Sequence, residues 1–317
     1  MKSIKLLITL LICVCLMGIS YFPIKSFVEA KQKGPVLTIG LMTDIQYCDC
    51  DSRKVFKIVW SDRHYRKSLK KLDEAVQTFN KKDVDFTMNA GDSIDHDFNS
   101  YKPVIKRYDK LNKPLYNVLG NHDFPNHNLD ALKPLKMERD YYSFSKKGYR
   151  FIFLNTNEIS TYATKAGTKE YDEAIHMLSG LQQQHKIFAE HYNGALSKNQ
   201  LAWFEKELKK AKKLGEKVII TAHHPVFPVK EDNAWNADQV LKLMDKYNNV
   251  VAYFNGHSHE GYYHIRNGVH HMNLKGMLET KNKNSFAVLK IYKNQMFLDG
   301  YGREKDRILK IKKVYKK

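Results

Sequence analysis

A chain of 317 residues with 43% hydrophobic and 12% aromatic content can bury a sizeable core, and one large domain is the default at this length. A formal charge of +19 pulls the chain toward anions, whether nucleic acid, acidic lipid or phosphorylated small molecules. The lysines are spread along the whole sequence, with local clusters at Lys209–Lys213 and Lys310–Lys317, and this argues for a solvated basic surface and against a specific nucleic-acid face.

Residues 1–30 read as an address that precedes a body of residues 31–317. Lys2 and Lys5 give a positive start, Leu6–Ile19 is an apolar run of signal-peptide length, and Val28-Glu29-Ala30 fits a small-residue cleavage site. Export, secreted or periplasmic, is expected. The alternative is an uncleaved anchor facing outward, because extending the apolar stretch to Ile24 approaches the ~18–20 residues that span a bilayer, although Pro23 interrupts it. Membrane contact is expected only through this segment. Cys13 and Cys15 lie inside the leader, so the body keeps only Cys48 and Cys50, which are expected to be two incidental thiols rather than a disulfide framework.

Beyond the leader, short apolar runs alternate with helical patterns, the signature of α/β layering, and no internal repeat is present. Val36–Met42 predicts a strand that stops at Thr43-Asp44, and Tyr65, Leu69, Leu72, Val76 and Phe79 then recur at helical spacing. Further strands are predicted at Phe86–Asn89, ending at Ala90-Gly91-Asp92, and at Pro114–Leu119, ending at Gly120-Asn121-His122-Asp123. Arg150–Asn155 is a strand without such an ending. Ser197-Lys198-Asn199-Gln200 predicts a capping-box start for a helix with a buried stripe of Leu201, Phe204, Leu208 and Leu214, closed by Gly215. Val218–Thr221 runs into His223-His224-Pro225, and after a helix around Val240–Met244, Val250–Phe254 runs into Gly256-His257-Ser258-His259. The tail from Tyr262 to Tyr301 reads as antiparallel strands with turns at Asn267-Gly268 and Lys293-Asn294.

Five strands therefore end in polar clusters: Asp44-Ile45-Gln46, Gly91-Asp92-Ser93-Ile94-Asp95, Gly120-Asn121-His122-Asp123, His223-His224-Pro225 and Gly256-His257-Ser258-His259. A lone Asp after a strand is usually a helix cap, and a lone His is usually a satisfied polar residue. Five clusters in series are hard to read as caps, and in open α/β sheets ligands bind beyond the carboxyl ends of strands.

The order Asp-x-x, Gly-Asp-x-x-Asp, Gly-Asn-His-Asp, His-x-Pro and Gly-His-x-His resembles the calcineurin-like metallophosphoesterases, over about residues 36–260. The resemblance implies a four-layer α/β sandwich, two mixed β-sheets flanked by helices, with two metals sharing one Asp. Carried over by position, the first metal takes Asp44, Gln46, Asp92 and His259, and the second takes Asp92, Asn121, His223 and His257. His122 is implied as the acid beside them. At Gln46 the superfamily majority carries His. Two divalent ions ~3.5–4 Å apart polarise a phosphoryl group and lower the pKa of a bridging water, giving a hydroxide placed for in-line attack. Carboxylates and imidazoles together suit Mn²⁺, Fe or Zn²⁺, and the Gln46 amide oxygen hardens the first site toward Mn²⁺.

Within the superfamily, Asp44-Ile45-Gln46-Tyr47-Cys48-Asp49, Tyr65-Arg66-Lys67-Ser68-Leu69, Tyr192-Asn193-Gly194 and Ala234-Trp235-Asn236 look like the manganese-dependent ADP-ribose/CDP-alcohol diphosphatases. So do Gly268-Val269-His270-His271, Leu278-Glu279-Thr280 and Gly302-Arg303. That group carries Gln at the first cluster, and the resemblance implies hydrolysis of a nucleotide-linked pyrophosphate. Alternatives are a broader phosphodiesterase or phosphomonoesterase with the same centre, cyclic nucleotides included, or a basic exported binding protein with a vestigial site. Phe56 and Trp60 follow the first cluster and either stack on a nucleobase or pack in the core. His224 and His264 are candidates for the pocket wall and Arg303 for a phosphate contact, whereas His270 and His271 are expected to be structural.

Overall fold

The computed structural model describes residues 34–55, 61–125 and 130–311. The leader and the positions of Phe56 and Trp60 lie outside the described residues. Strands β1 (Leu37–Met42), β2 (Arg53–Val55) and β3 (Ser61–Arg63) lead to helix α1 (Ser68–Lys81), β4 (Phe86–Asn89), α2 (Tyr101–Tyr108) and β5 (Leu115–Asn117). Next come β6 (Tyr142–Lys146), β7 (Tyr149–Phe153), α3 (Lys169–Gln183), α4 (Lys198–Leu214), β8 (Lys217–Thr221), α5 (Ala237–Lys246) and β9 (Val250–Asn255). The tail adds β10 (Tyr262–Arg266), β11 (Val269–Asn273), β12 (Ser285–Ile291), β13 (Gln295–Gly302) and β14 (Arg307–Lys310). Among the described residues no helix is long and apolar enough to cross a membrane.

Among the described residues the strands form two six-stranded mixed sheets, ordered β14-β13-β12-β1-β4-β5 and β10-β11-β9-β8-β7-β6, with β2 and β3 as a separate hairpin. The strands β1, β4 and β5 run parallel, as do β7, β8 and β9, so each sheet delivers its carboxyl ends to one edge. The facing sheets bury Leu37, Ile39, Leu41, Phe86 and Met88 against Phe151, Phe153, Ile219, Ala252 and Phe254. Each such side chain withdrawn from water contributes ~1.5–3 kcal/mol, so this inner layer holds the sheets together. On the outer faces, α1 and α2 cover the first sheet through Leu72, Val76, Phe79 and Val104, and α4 and α5 cover the second through Phe204, Leu208, Val240 and Met244. The result is the four-layer sandwich.

Three local outcomes differ from the sequence reading. Leu214, expected in the buried stripe of α4, is exposed at the last turn of the helix. The start of α4 is only half a capping box: Ser197 accepts from the Gln200 N–H at 3.1 Å, but the Gln200 side chain turns away to donate to the Asn155 carbonyl and Glu158. Glu158 instead accepts from the Ser197 N–H at 3.0 Å, so a distant carboxylate completes the cap. The tail is also not one antiparallel unit. Its strands β10 and β11 pair antiparallel with each other, but β11 lies parallel to β9 in the second sheet, while β12 to β14 extend the first. Sequence neighbours separated by a turn pattern do not reveal that the chain changes sheets between Asn273 and Ser285.

Candidate metal centre

The loops that leave β1 and β4 stay knitted beyond the strand ends. Asp44 N–H donates to the Gly91 carbonyl at 3.0 Å and Gln46 N–H to the Asp92 carbonyl at 2.9 Å. This contact brings three candidate ligands together. The Gln46 Nε2 donates to Asp92 Oδ2 at 2.7 Å, and that same oxygen lies 3.3 Å from His223 Nε2. His223 Nε2 is 3.1 Å from Asn121 Oδ1 and 3.1 Å from His257 Nδ1, and His259 Nε2 lies 3.5 Å from Asp44 Oδ1. One donor atom from each of Asp44, Asp92 and His223 falls within 4.8 Å of the others. All seven residues expected from the strand ends thus meet at one edge of the sandwich.

Their backbone is unusual. Asp44, Gln46, Asp92, His257 and His259 all have positive φ, between 40° and 74°. Non-glycine residues rarely adopt this region, at ~1–3 kcal/mol each, and such strain gathers at functional sites.

The residues fit a pair of cations on two observations. Gln46 Oε1 is buried without a hydrogen-bond partner, an oxygen lone pair in want of a cation. Space for a side chain has also been removed around the carboxylates: a Cβ on Gly120 would lie 2.1 Å from Asp92 Oδ1, and one on Gly256 would lie 2.6 Å from Asp44 Oδ2.

Charge is arranged to match. Burial raises a carboxyl pKa, yet the His223 and His122 rings outweigh it and hold Asp92 well below the usual carboxylate range. Burial disfavours a charged His223, and the Asp92 carboxylate overcomes it, pushing the imidazole up to about 9. The field that retains a proton there is the field a divalent cation would neutralise. His122 is oriented from both ends: its backbone N–H donates to Asp92 Oδ1 at 2.9 Å and its Nδ1 faces Asp95 Oδ1 at 3.0 Å. Burial lowers its pKa, but Asp92 and Asp95 raise it above the ordinary histidine value. With 28% of its side chain exposed, against none for Asp92 or His223, His122 faces the open side of the centre.

Residues that the sequence reading quoted without a role turn out to position the candidate ligands. Asp123 is buried and accepts from the Gly120, Asp92 and Ser93 N–H groups at 2.9, 3.0 and 3.0 Å, tying the second and third clusters together. Burial and then the Asp92 charge push its carboxyl up to about 6. Asn193 Oδ1 lies 2.9 Å from His257 Nε2, and Glu279 Oε1 lies 2.8 Å from His259 Nδ1. The loop bearing Glu279 is pinned by the buried Lys71 ammonium, which donates to the Met277, Glu279 and Thr280 carbonyls at 2.7–2.8 Å. Asn193 and Glu279 stood in segments that carry the family resemblance, and that was the available signal.

Replacing Glu279 by Gln should weaken apparent Mn²⁺ affinity or turnover ~10–100-fold, the usual consequence of losing a carboxylate partner behind a ligating histidine. A Mn²⁺ titration of activity measures both, and an unchanged half-saturation together with an unchanged maximal rate would remove Glu279 from the centre.

Of the other candidates, some are corrected and some lie where they were expected. His224 is not on the pocket wall: it is fully buried, with Nδ1 2.6 Å from Thr156 Oγ1, Nε2 3.3 Å from the Tyr192 carbonyl and its ring centroid 4.3 Å from that of His257. Burial, followed by the neighbouring His223 charge, brings its pKa down to about 3, so it backs His257 as a neutral ring. His264 sits exposed on β10, with its ring against Phe227 and Tyr262. Arg303 donates to the Gly276 carbonyl and so braces the loop that follows β11. His270 is structural, its ring nitrogens 2.8 Å from Tyr263 Oη and 2.9 Å from the Lys310 carbonyl, and His271 is buried against Phe227 and Tyr253. Cys48 and Cys50 are not separate thiols but are joined in a disulfide, their Cα atoms 5.2 Å apart. The chain bends at Asp49, the one intervening residue, and this brings the side chains together.

Residues 37–261 match the calcineurin-like phosphoesterase family. The chain belongs to this family. It is 30% identical over 299 residues to the manganese-dependent ADP-ribose/CDP-alcohol diphosphatase of Arabidopsis thaliana, across 85% of this chain and 95% of that one. The Homo sapiens protein of the same name is 28% identical over 324 residues, across 88% of this phosphoesterase and 94% of its relative. Among solved structures, a dimetal phosphatase of Danio rerio superposes with a TM-score of 0.81 at 25% identity, covering 88% of this phosphoesterase and 100% of that chain. The phosphoesterase is a metal-dependent hydrolase with the dinuclear type of centre.

Proposed function

We propose that this phosphoesterase hydrolyses the pyrophosphate bond of nucleotide diphosphate compounds such as ADP-ribose or CDP-alcohols, with manganese in both positions of its centre. The observation that carries the reading is Gln46: its orphaned amide oxygen stands where a hard donor completes the first position, and the diphosphatase relatives align along nearly the whole chain. The first position would be held by Asp44, Gln46, Asp92 and His259, and the second by Asp92, Asn121, His223 and His257. When bound, two such cations polarise a phosphoryl oxygen and lower the pKa of a water.

The chain's own residues do the rest. With Asp44 and Asp92 as the two carboxylates among the seven, the filled centre keeps positive charge and favours anionic phosphate over neutral esters. Asp95 fixes His122 Nδ1, so Nε2 is the nitrogen turned toward substrate, and the raised pKa keeps a proton there for the departing phosphate oxygen. Glu279 and Asn193 hold the rings of His259 and His257 in register.

Rates with Mn²⁺ on ADP-ribose, CDP-choline, a cyclic nucleotide and bis(p-nitrophenyl) phosphate test the reading. The two diphosphates should show the highest kcat/KM; faster turnover of the cyclic nucleotide or the diester would replace it with the broader phosphodiesterase. Export belongs to the same proposal, supported by the leader and by a disulfide of the kind that persists in oxidising compartments. Cell fractionation with N-terminal sequencing checks it, and a cytosolic chain retaining Met1 would refute it.

A further inference from the structure

Beside the centre stands a second group of metal-binding side chains with a different chemistry. Cys48, Cys50 and His96 each offer one donor atom, and these three atoms lie within 4.8 Å of one another. None of them belongs to the dinuclear set, which contains no sulfur. Cys48 is buried against Tyr65 and Leu278, Cys50 is half-buried and His96 is exposed, so the triad has a packed floor and an open side. His96 is held in place: its ring centroid is 5.8 Å from that of Tyr65, its backbone N–H donates to Asp95 Oδ1 at 2.8 Å and its Nδ1 lies 3.7 Å from the same oxygen. At that separation the Asp95 carboxylate lends the imidazole negative charge without a hydrogen bond, its Oδ1 being taken by His122 Nδ1 at 3.0 Å. Asp49 and Asp51, in the same loop, add negative charge and anchor it to Arg66.

We propose that the reduced chain binds a third cation, of the borderline-soft class typified by Zn²⁺, through Cys48, Cys50 and His96. The disulfide is the closed form of this site. A dithiol reductant delivers two electrons and two protons to the Cys48–Cys50 bond and is itself oxidised to a cyclic disulfide. The two freed thiols then give up their protons as the cation forms two metal–sulfur bonds, and His96 supplies a nitrogen. Two thiolates and one imidazole make a three-residue donor set that leaves a fourth tetrahedral position on the open side for water. Thiolate selects this cation class over the Mn²⁺ suited to carboxylate and amide oxygens, so the two centres sort different metals within one fold. Oxidation removes both sulfur donors and expels the cation.

Cobalt(II) provides the test, because only sulfur ligation gives a thiolate-to-cobalt charge-transfer band in the near ultraviolet. The full-length chain carrying Cys13→Ser and Cys15→Ser, which removes the leader thiols, is loaded with Mn²⁺, reduced with a dithiol, freed of reductant under argon and titrated with Co²⁺. One equivalent of the band should develop, vanish on reoxidation and be displaced by Zn²⁺. Cys50→Ser should abolish it while Mn²⁺-supported hydrolysis persists, which shows that the variant is folded. His96→Ala, retaining both thiols, should weaken Co²⁺ affinity by at least the ~10-fold that loss of a supporting group costs. A reduced chain without the band, or a band of equal affinity in His96→Ala, overturns the site. The dinuclear reading is unaffected by either result, since it is judged by hydrolysis and this site by sulfur absorption.

Discussion

Asp92→Asn should leave the chain folded and remove nearly all turnover. The substitution preserves shape, and the backbone of residue 92 stays tied to Asp123 Oδ2 at 3.0 Å. What changes is charge and acceptor count. Asp92 Oδ2 accepts from Gln46 Nε2 at 2.7 Å and faces His223 Nε2 at 3.3 Å, while Oδ1 accepts from the His122 N–H at 2.9 Å. An amide can serve only one of these directions with oxygen and presents an NH₂ group to the other. The centre would also lose one of the two carboxylates proposed to attract its cations, and the one proposed to be shared by both. The loss should exceed the ~10–100-fold typical of a group standing behind a ligand. Measuring kcat/KM on ADP-ribose at saturating Mn²⁺, with bound metal and the thermal melt, resolves activity from folding. Parent-like rates, or two firmly held ions in the variant, would end the bridging role of Asp92.

Gly120→Ala is the second large effect, and it arises from space rather than charge. The added methyl would lie 2.1 Å from Asp92 Oδ1 and 2.6 Å from Asp92 N, far inside any real Cβ contact. The colliding atoms cannot swing clear as a surface side chain would, because Asp92 is fully buried and held by Gln46, His122 and Asp123. Either the third loop moves outward, taking Asn121 and His122 with it, or the Asp92 carboxylate rotates away from His223. Both break the same geometry, so turnover should fall by ~10²-fold or more, the scale of a ~1 Å misplacement of reacting groups, with a lowered melting temperature. If activity and stability both stay within twofold of the parent, the tight approach of the two loops is not required.

Much of this centre was legible because chain order and strand polarity do the assembly. A strand that stops at Asp44, Asp92, Asn121, His223 or His257 needs only a parallel neighbour to set its last residues beside those of the next, and β1, β4 and β5 supply this on one sheet, β7, β8 and β9 on the other. Asp123, Asn193 and Glu279 carried no comparable sign. Each works by a hydrogen bond across a long stretch of chain, as Lys71 does in reaching residues 277–280, and neither periodicity nor spacing encodes such a pairing. His224 misled for a related reason. Adjacent to His223 in sequence, it packs behind the His257 ring, where Thr156 and the Tyr192 carbonyl occupy its two nitrogens. The Cys48–Cys50 bond escaped because a spacing of one residue says nothing about side-chain direction until the bend at Asp49 is known.

The donors divide between the layers: Asp44, Gln46, Asp92 and Asn121 follow strands of the first sheet, whereas His223, His257 and His259 follow strands of the second. Oxygen donors therefore stand on one wall and nitrogen donors on the other, and each ion held as proposed would work as a rivet driven through both. The gap it must bridge is set by the thickness of the aromatic and aliphatic filling around Phe86 and Phe151, remote from the chemistry. Interior volume is in this sense a ligand-spacing parameter, and a methyl group gained or lost in that filling would retune the grip on both ions without touching either.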